Sequence, residues 1–103
     1  MFARVSRYHG DPRKVKEAFT APSPAELGQT PGYLGAYVLV DEKSGKAITI
    51  TLWETEEAMH DSIALADRLR QEASDQAGGK EKPTDEMYEV VEVPEFVKAA
   101  GVR

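Results

Sequence analysis

Hydrophobic and polar positions alternate with period two in four stretches of this chain, and recur with the spacing of a helix in two others. Residues 2–8, FARVSRY, alternate and are rich in β-formers, which predicts a first strand. Residues 33–41, YLGAYVLVD, and 46–54, KAITITLWE, predict the second and third strands. The loop Glu42-Lys43-Ser44-Gly45 joins them as a hairpin, with Gly45 supplying the positive φ such loops need. Alternation places Ile48, Ile50 and Leu52 on one face of the third strand and Thr49, Thr51 and Trp53 on the other. Residues 86–93, EMYEVVEV, predict a fourth strand that Pro94 ends.

The helical stretches fall between these strands. Asp11 is placed to accept from free backbone N–H groups, and Pro12 suits a first helical position. Val15, Ala18 and Phe19 then recur at helical spacing, and Ala21-Pro22-Ser23-Pro24 breaks the helix. Ser23-Pro24-Ala25-Glu26 has the form of a capping box and predicts one further helical turn ending near Gly28. Pro31-Gly32 is a turn. Thr55, followed by Glu56 and Glu57, opens a longer helix that runs to about Gln76 and stops at Gly78-Gly79. Its inner stripe is Met59, Ser62, Ile63, Ala66, Leu69 and Ala73. His60 lies away from that stripe and is expected to be exposed.

The element order is β-α-β-β-α-β. Right-handed crossovers place both main helices on one face of an antiparallel sheet, giving an α+β, ferredoxin-like sandwich with spatial order 4-1-3-2. Residues 1–93 make the single domain, and 94–103, carrying Phe96 and Val97, a C-terminal tail. In the second strand Leu34, Ala36, Val38 and Val40 share one face, and Tyr33, Gly35, Tyr37 and Leu39 the other. A sheet that is apolar on both faces needs two covers. The helices supply one. A second copy of the chain is the simplest supply of the other, so a homodimer through the sheet face, a dimeric α/β barrel, is expected.

Composition narrows the classes of function. At 103 residues the chain is one domain, and 41% hydrophobic with 30% charged residues is ordinary for a globular protein. Asp and Glu number 18 against 13 Lys and Arg, for a formal charge of −5, so a nucleic acid or an anionic membrane surface is not an expected partner. The absence of cysteine excludes disulfides, thiolate nucleophiles and cysteine-ligated metals. No apolar run approaches the ~20 residues of a membrane-spanning helix. Met1-Phe2-Ala3-Arg4 lacks the features of a signal peptide, so a cytoplasmic location is expected. His9 and His60 stand at unrelated positions and make no metal site. No phosphate loop, Ser-His-Asp pattern or HExxH is present, and no cofactor is expected.

Two runs carry a resemblance to a known family. Thr30-Pro31-Gly32-Tyr33-Leu34-Gly35, and Leu52-Trp53-Glu54-Thr55-Glu56-Glu57-Ala58, resemble the turn into strand two and the end of strand three in the antibiotic-biosynthesis monooxygenase superfamily. The likeness spans about residues 1–93. It implies the dimeric α/β barrel and, for some members, oxidation of polycyclic aromatic phenols without a cofactor. The resemblance makes Trp53 the match of the pocket-lining tryptophan. Haem-degrading members use an asparagine and a histidine where this chain has Ser6 and about Ile63, which implies that it does not degrade haem.

The candidate ligand-pocket residues are Trp53, Tyr37, Arg4, Ser6 and Tyr8. An indole offers a broad face and one donor to a flat aromatic ligand; its plainer role is packing. Tyr8, Tyr33 and Tyr37 can orient a phenolic substrate, or simply pack with solvated hydroxyls. Arg4 shares its strand face with Ser6 and Tyr8 and can stabilise an oxyanion, or pair with a surface acid. Two functions follow. One is a cofactor-independent monooxygenase-like protein acting on a small aromatic molecule. The alternative is a non-catalytic dimeric module that binds a small molecule or a partner protein.

Overall fold

The structure, a computed structural model, describes residues 1–20 and 25–96. Its elements are β1 Phe2–His9, α1 Val15–Thr20, α2 Ala25–Gly28, β2 Tyr33–Asp41, β3 Lys46–Trp53, α3 Glu56–Asp61, α4 Ile63–Gln76 and β4 Thr84–Glu89. The strands form one antiparallel sheet in the order β2-β3-β1-β4. This is the ferredoxin-like arrangement read from the element order. The hairpin between β2 and β3 turns at Gly45, whose φ is +79°. A side chain there would also collide with the Gly10 carbonyl, 2.2 Å from an added Cβ.

Register sorts the strand residues into two faces. Arg4 pairs with Thr51, Ser6 with Thr49 and Tyr8 with Ala47, and β3 continues these rows to Ala36, Val38 and Val40 on β2. The helices cover this face. Tyr8, Val15 and Ala47 form its buried cluster, with Phe19, Val40 and Ala73 packed around them, and the Tyr8 and Phe19 rings lie 4.8 Å apart. The other face carries Val5, Ile50 and Tyr37 in one row and Ile48 and Leu39 in the next, with Leu52 and Tyr88 beyond. Tyr37, Leu39 and Tyr88 are exposed there.

Four details differ from the expectations. The long helix is two. It breaks at Ser62, whose hydroxyl donates to the Met59 carbonyl at 2.7 Å and accepts from Arg4 Nη1 at 3.1 Å. The break re-phases α4, so Ile63 turns outward and is 42% exposed instead of joining the inner stripe. β4 covers Thr84–Glu89 rather than 86–93: its ladder with β1 ends where Glu89 stands opposite Phe2, with one further bond from the Val90 N–H to the Met1 carbonyl at 2.9 Å. β2 carries a bulge between Tyr33 and Gly35, with Gly35 at φ +143°. It pairs Tyr33 with Trp53 and so moves that ring to the helix-covered face.

Local signals behave as read. Thr55 caps α3, its Oγ1 accepting from the Ala58 N–H at 3.0 Å. Asp11 Oδ1 accepts from the Arg13 N–H at 2.8 Å ahead of α1. Gly78, at φ +69°, follows the end of α4. Residues 21–24, which hold the Ala21-Pro22-Ser23-Pro24 break and the Ser23 and Pro24 half of the capping box, and residues 97–103 of the tail lie outside the described residues. No helix among the described residues is long and apolar enough to cross a membrane.

Candidate functional site: a cavity between sheet and helices

A cavity of about 300 Å³ lies between the covered face of the sheet and the helices. β1 contributes Arg4, Ser6 and Tyr8, and β3 contributes Thr49, Thr51 and Trp53. Apolar walls come from Phe19, Leu27, Ala36, Val38, Ala66 and Leu69. Four of the five residues singled out in the sequence therefore meet at one place. Tyr37 does not: it pairs with Ile50, one row out of phase with the threonines, and its ring stands 41% exposed on the opposite face. Tyr33 takes the place beside Trp53 instead, its ring centroid 5.5 Å away at 67°.

Trp53 is 1% exposed, and its Nε1 donates to Thr51 Oγ1 at 3.0 Å. The indole is thus anchored and offers the cavity an apolar surface rather than a free donor. Tyr8 is also buried, with its hydroxyl 3.4 Å from Thr49 Oγ1. Burial raises the pKa of this phenol above its ordinary value, because it penalises the anion more than the hydrogen bonds help it. Tyr8 is therefore a neutral donor at ordinary pH.

Arg4 is the unusual group, a guanidinium 3% exposed on a central strand. Its Nη2 donates to the Met59 carbonyl at 2.7 Å and its Nη1 to Ser62, which ties β1 to the break between α3 and α4. Its Nε makes no hydrogen bond among the described residues, and Asp85 Oδ2 stands 3.8 Å from it. Burial depresses the Arg4 pKa, Asp85 pushes it back up, and Arg70 depresses it again. An arginine remains charged through such shifts.

Sequence reading missed Arg70 and Asp85. Arg70 lines the cavity from α4, its side chain 12% exposed. Its Nη2 is bonded to Asp67, and its Nη1 lies 3.5 Å from the Asp85 oxygen that also faces Arg4. The signal for Arg70 was present: it stands four residues after Ala66 and three before Ala73, on the inner side of the helix. Asp85 sits opposite Ser6 across β1 and β4, on the cavity side of an edge strand. His60 is exposed beside Glu56, as its wheel position required, and no cluster of metal-ligating side chains exists among the described residues.

No family model matches the chain. Two uncharacterized proteins of Mycobacterium tuberculosis, from strains CDC 1551 and H37Rv, are each 37% identical to it over 59 residues, 57% of this chain and 25% of theirs. The match thus spans about a quarter of the length of these curated relatives. Among solved structures, a monooxygenase of Streptomyces coelicolor in complex with nanaomycin D superposes with a TM-score of 0.68 at 20% identity, over 90% of this chain and 91% of that one. SnoaB, a cofactor-independent oxygenase of Streptomyces nogalater, gives 0.62 at 17% identity, over 89% and 94%. A protein of unknown function from Nitrosomonas europaea gives 0.64 at 15% identity, over 90% and 91%. At such identities the likeness speaks for architecture: this chain has the fold of the antibiotic biosynthesis monooxygenase-like proteins.

Proposed function

We propose that this protein binds a small, flat aromatic molecule in the cavity beside Trp53 and oxidises it with dioxygen, without a cofactor. The cavity itself carries the reading. At about 300 Å³ it has room for a fused-ring ligand, and its walls are apolar around a few convergent polar groups. The fold shared with a monooxygenase holding nanaomycin D and with a cofactor-independent oxygenase supports the choice of chemistry.

The steps follow from the residues present. A phenol or activated methylene on the ligand ionises beside Arg4, whose charge stabilises the conjugated anion, and the proton passes to water. Tyr8, held protonated by burial, donates to a ligand oxygen. The carbanion gives its electron pair to dioxygen, forming a C–O bond. Protonation of the peroxide and loss of water leave a carbonyl where a CH2 stood. One O2 ends as one carbonyl oxygen and one water, a four-electron oxidation that needs no other oxidant.

The test is oxygen uptake with fused-ring phenols bearing an activated methylene. One O2 should be consumed per quinone formed, with Arg4→Met slowing turnover roughly 100-fold. Binding without oxygen uptake across such a panel would replace this reading with the second one, a non-catalytic binding module. One observation favours that second reading: the phenol nearest the cavity is a weaker acid than usual, so its conjugate base is not on hand to take a proton.

The proposal includes a homodimer through the sheet face that the helices leave bare. Ile48, Ile50, Leu39 and Tyr37 form the centre of that face, the isoleucines half-buried and Leu39 and Tyr37 exposed, and a contiguous apolar patch of this kind calls for a cover.

A further inference from the structure

We infer that Arg4 and Arg70 form a carboxylate subsite within the cavity, so that the ligand is an aromatic acid, and that Asp85 is the carboxylate it must displace. The inference rests on the cavity being a ligand site and adds the chemical class of the ligand.

Two buried N–H groups support it. Arg4 Nε and Arg70 Nη1 are shut away from solvent, and neither makes a hydrogen bond among the described residues. Both belong to side chains that line the cavity. Leaving a buried charged donor unsatisfied is costly, so such groups in a native protein point to a partner. They converge: the same Asp85 oxygen lies 3.8 Å from one and 3.5 Å from the other, near enough to pair electrostatically and too far to satisfy either donor.

The geometry selects the acceptor. Two donors from two guanidinium groups match an acceptor with two oxygens on one plane, which is a carboxylate. Asp85 displays the kind of group that fits, but from an edge strand and with its side chain 35% exposed, so it can turn to water when another carboxylate arrives. Arg70 already has Asp67, and Arg4 already has Ser62 and Met59, so both heads are held in place before a ligand binds.

Trp53 is the sole tryptophan and lines the cavity, so its fluorescence reports binding. The probes are 2-naphthoate and its uncharged isostere 2-naphthamide, titrated into the full chain. Naphthoate should bind at least tenfold tighter than the amide. Arg70→Met should bring naphthoate to within about threefold of the amide measured on the same variant. Asp85→Asn should tighten naphthoate at least threefold relative to the amide measured on the same variant. Equal affinity of the two probes for the native protein overturns the carboxylate subsite while leaving the cavity a ligand site. No binding of either probe overturns both. 2-Naphtholate binding tighter than naphthoate, at a pH where both are ionised, also overturns the carboxylate assignment. The native-protein comparison decides the matter even if Arg70→Met fails to fold.

Discussion

The two faces of the sheet are assigned the reverse of the usual way. The face under the helices, where a core belongs, holds Arg4, Ser6, Thr49 and Thr51 in its middle rows. The bare face holds Val5, Ile48, Ile50, Leu52, Tyr37 and Leu39. A sheet built only for stability would put the second set under the helices and the first toward water. The polar rows are instead enclosed with a cavity, while firm packing lies toward the ends: Tyr8 with Val15 and Ala47 at one, and Trp53 with Tyr33 at the other. Enclosing polar middle rows while leaving apolar ones bare makes sense if the first are a site and the second an interface.

That comparison can be broken most directly from the bare side. Ile50→Asp places an unpaired charge at the centre of the proposed interface. It should weaken association at least a thousandfold, about 4 kcal/mol, and light scattering at micromolar concentration should fall from twice the chain mass to one. A native protein already at one chain mass would remove the interface argument altogether. Next in size is packing at the end of the covered side. Met59→Ala should cost about 2–4 kcal/mol in urea unfolding, because Met59 is fully buried.

The middle rows should answer differently. Thr49→Val keeps the shape of a cavity-lining residue whose only described side-chain partner is the long contact to Tyr8. Its stability should stay within about 1 kcal/mol of the native protein, while oxygen uptake or probe binding falls severalfold. A loss of several kcal/mol would show that this row is structural after all. The smallest effect is the pH dependence of Tyr8. Its folded pKa lies above the unfolded value, so its contribution to stability is whole below about pH 10 and is lost as pH rises through the folded value. Ultraviolet titration should show a late-ionising tyrosine that Tyr8→Phe removes; Tyr88, also raised by Glu86, remains as the exposed counterpart.

What could be read from the sequence was what period and punctuation encode. Strict alternation in β1 and β3 placed Arg4, Ser6, Tyr8 and Trp53 on compatible faces, and Thr55 marked its helix through a short-range cap. Features decided by long-range contacts were not legible. Ser62 in a helical run looks like any small stripe residue, and it marks a break only in concert with Arg4, 58 positions away. The convergence of Arg4, Arg70 and Asp85 needs three elements assembled at once. Tyr37 failed for a subtler reason: plain alternation keeps Tyr33 and Tyr37 on one face, and the bulge at Gly35 parts them, so that only Tyr33 reaches Trp53.

The bulge behind that separation acts on the strand as a frameshift acts on a message. Upstream of Gly35 the strand is read in one phase, and Tyr33 is delivered to Trp53. Downstream it is read in the other, and Tyr37 and Leu39 are delivered to the outer surface. One strand thereby serves two addresses, and the boundary is a residue whose φ of +143° suits only glycine. The aromatic positions on either side of Gly35 are therefore separable: a change at Tyr33 acts on the packing of Trp53, and a change at Tyr37 acts on the outer surface, and neither needs the other's consent.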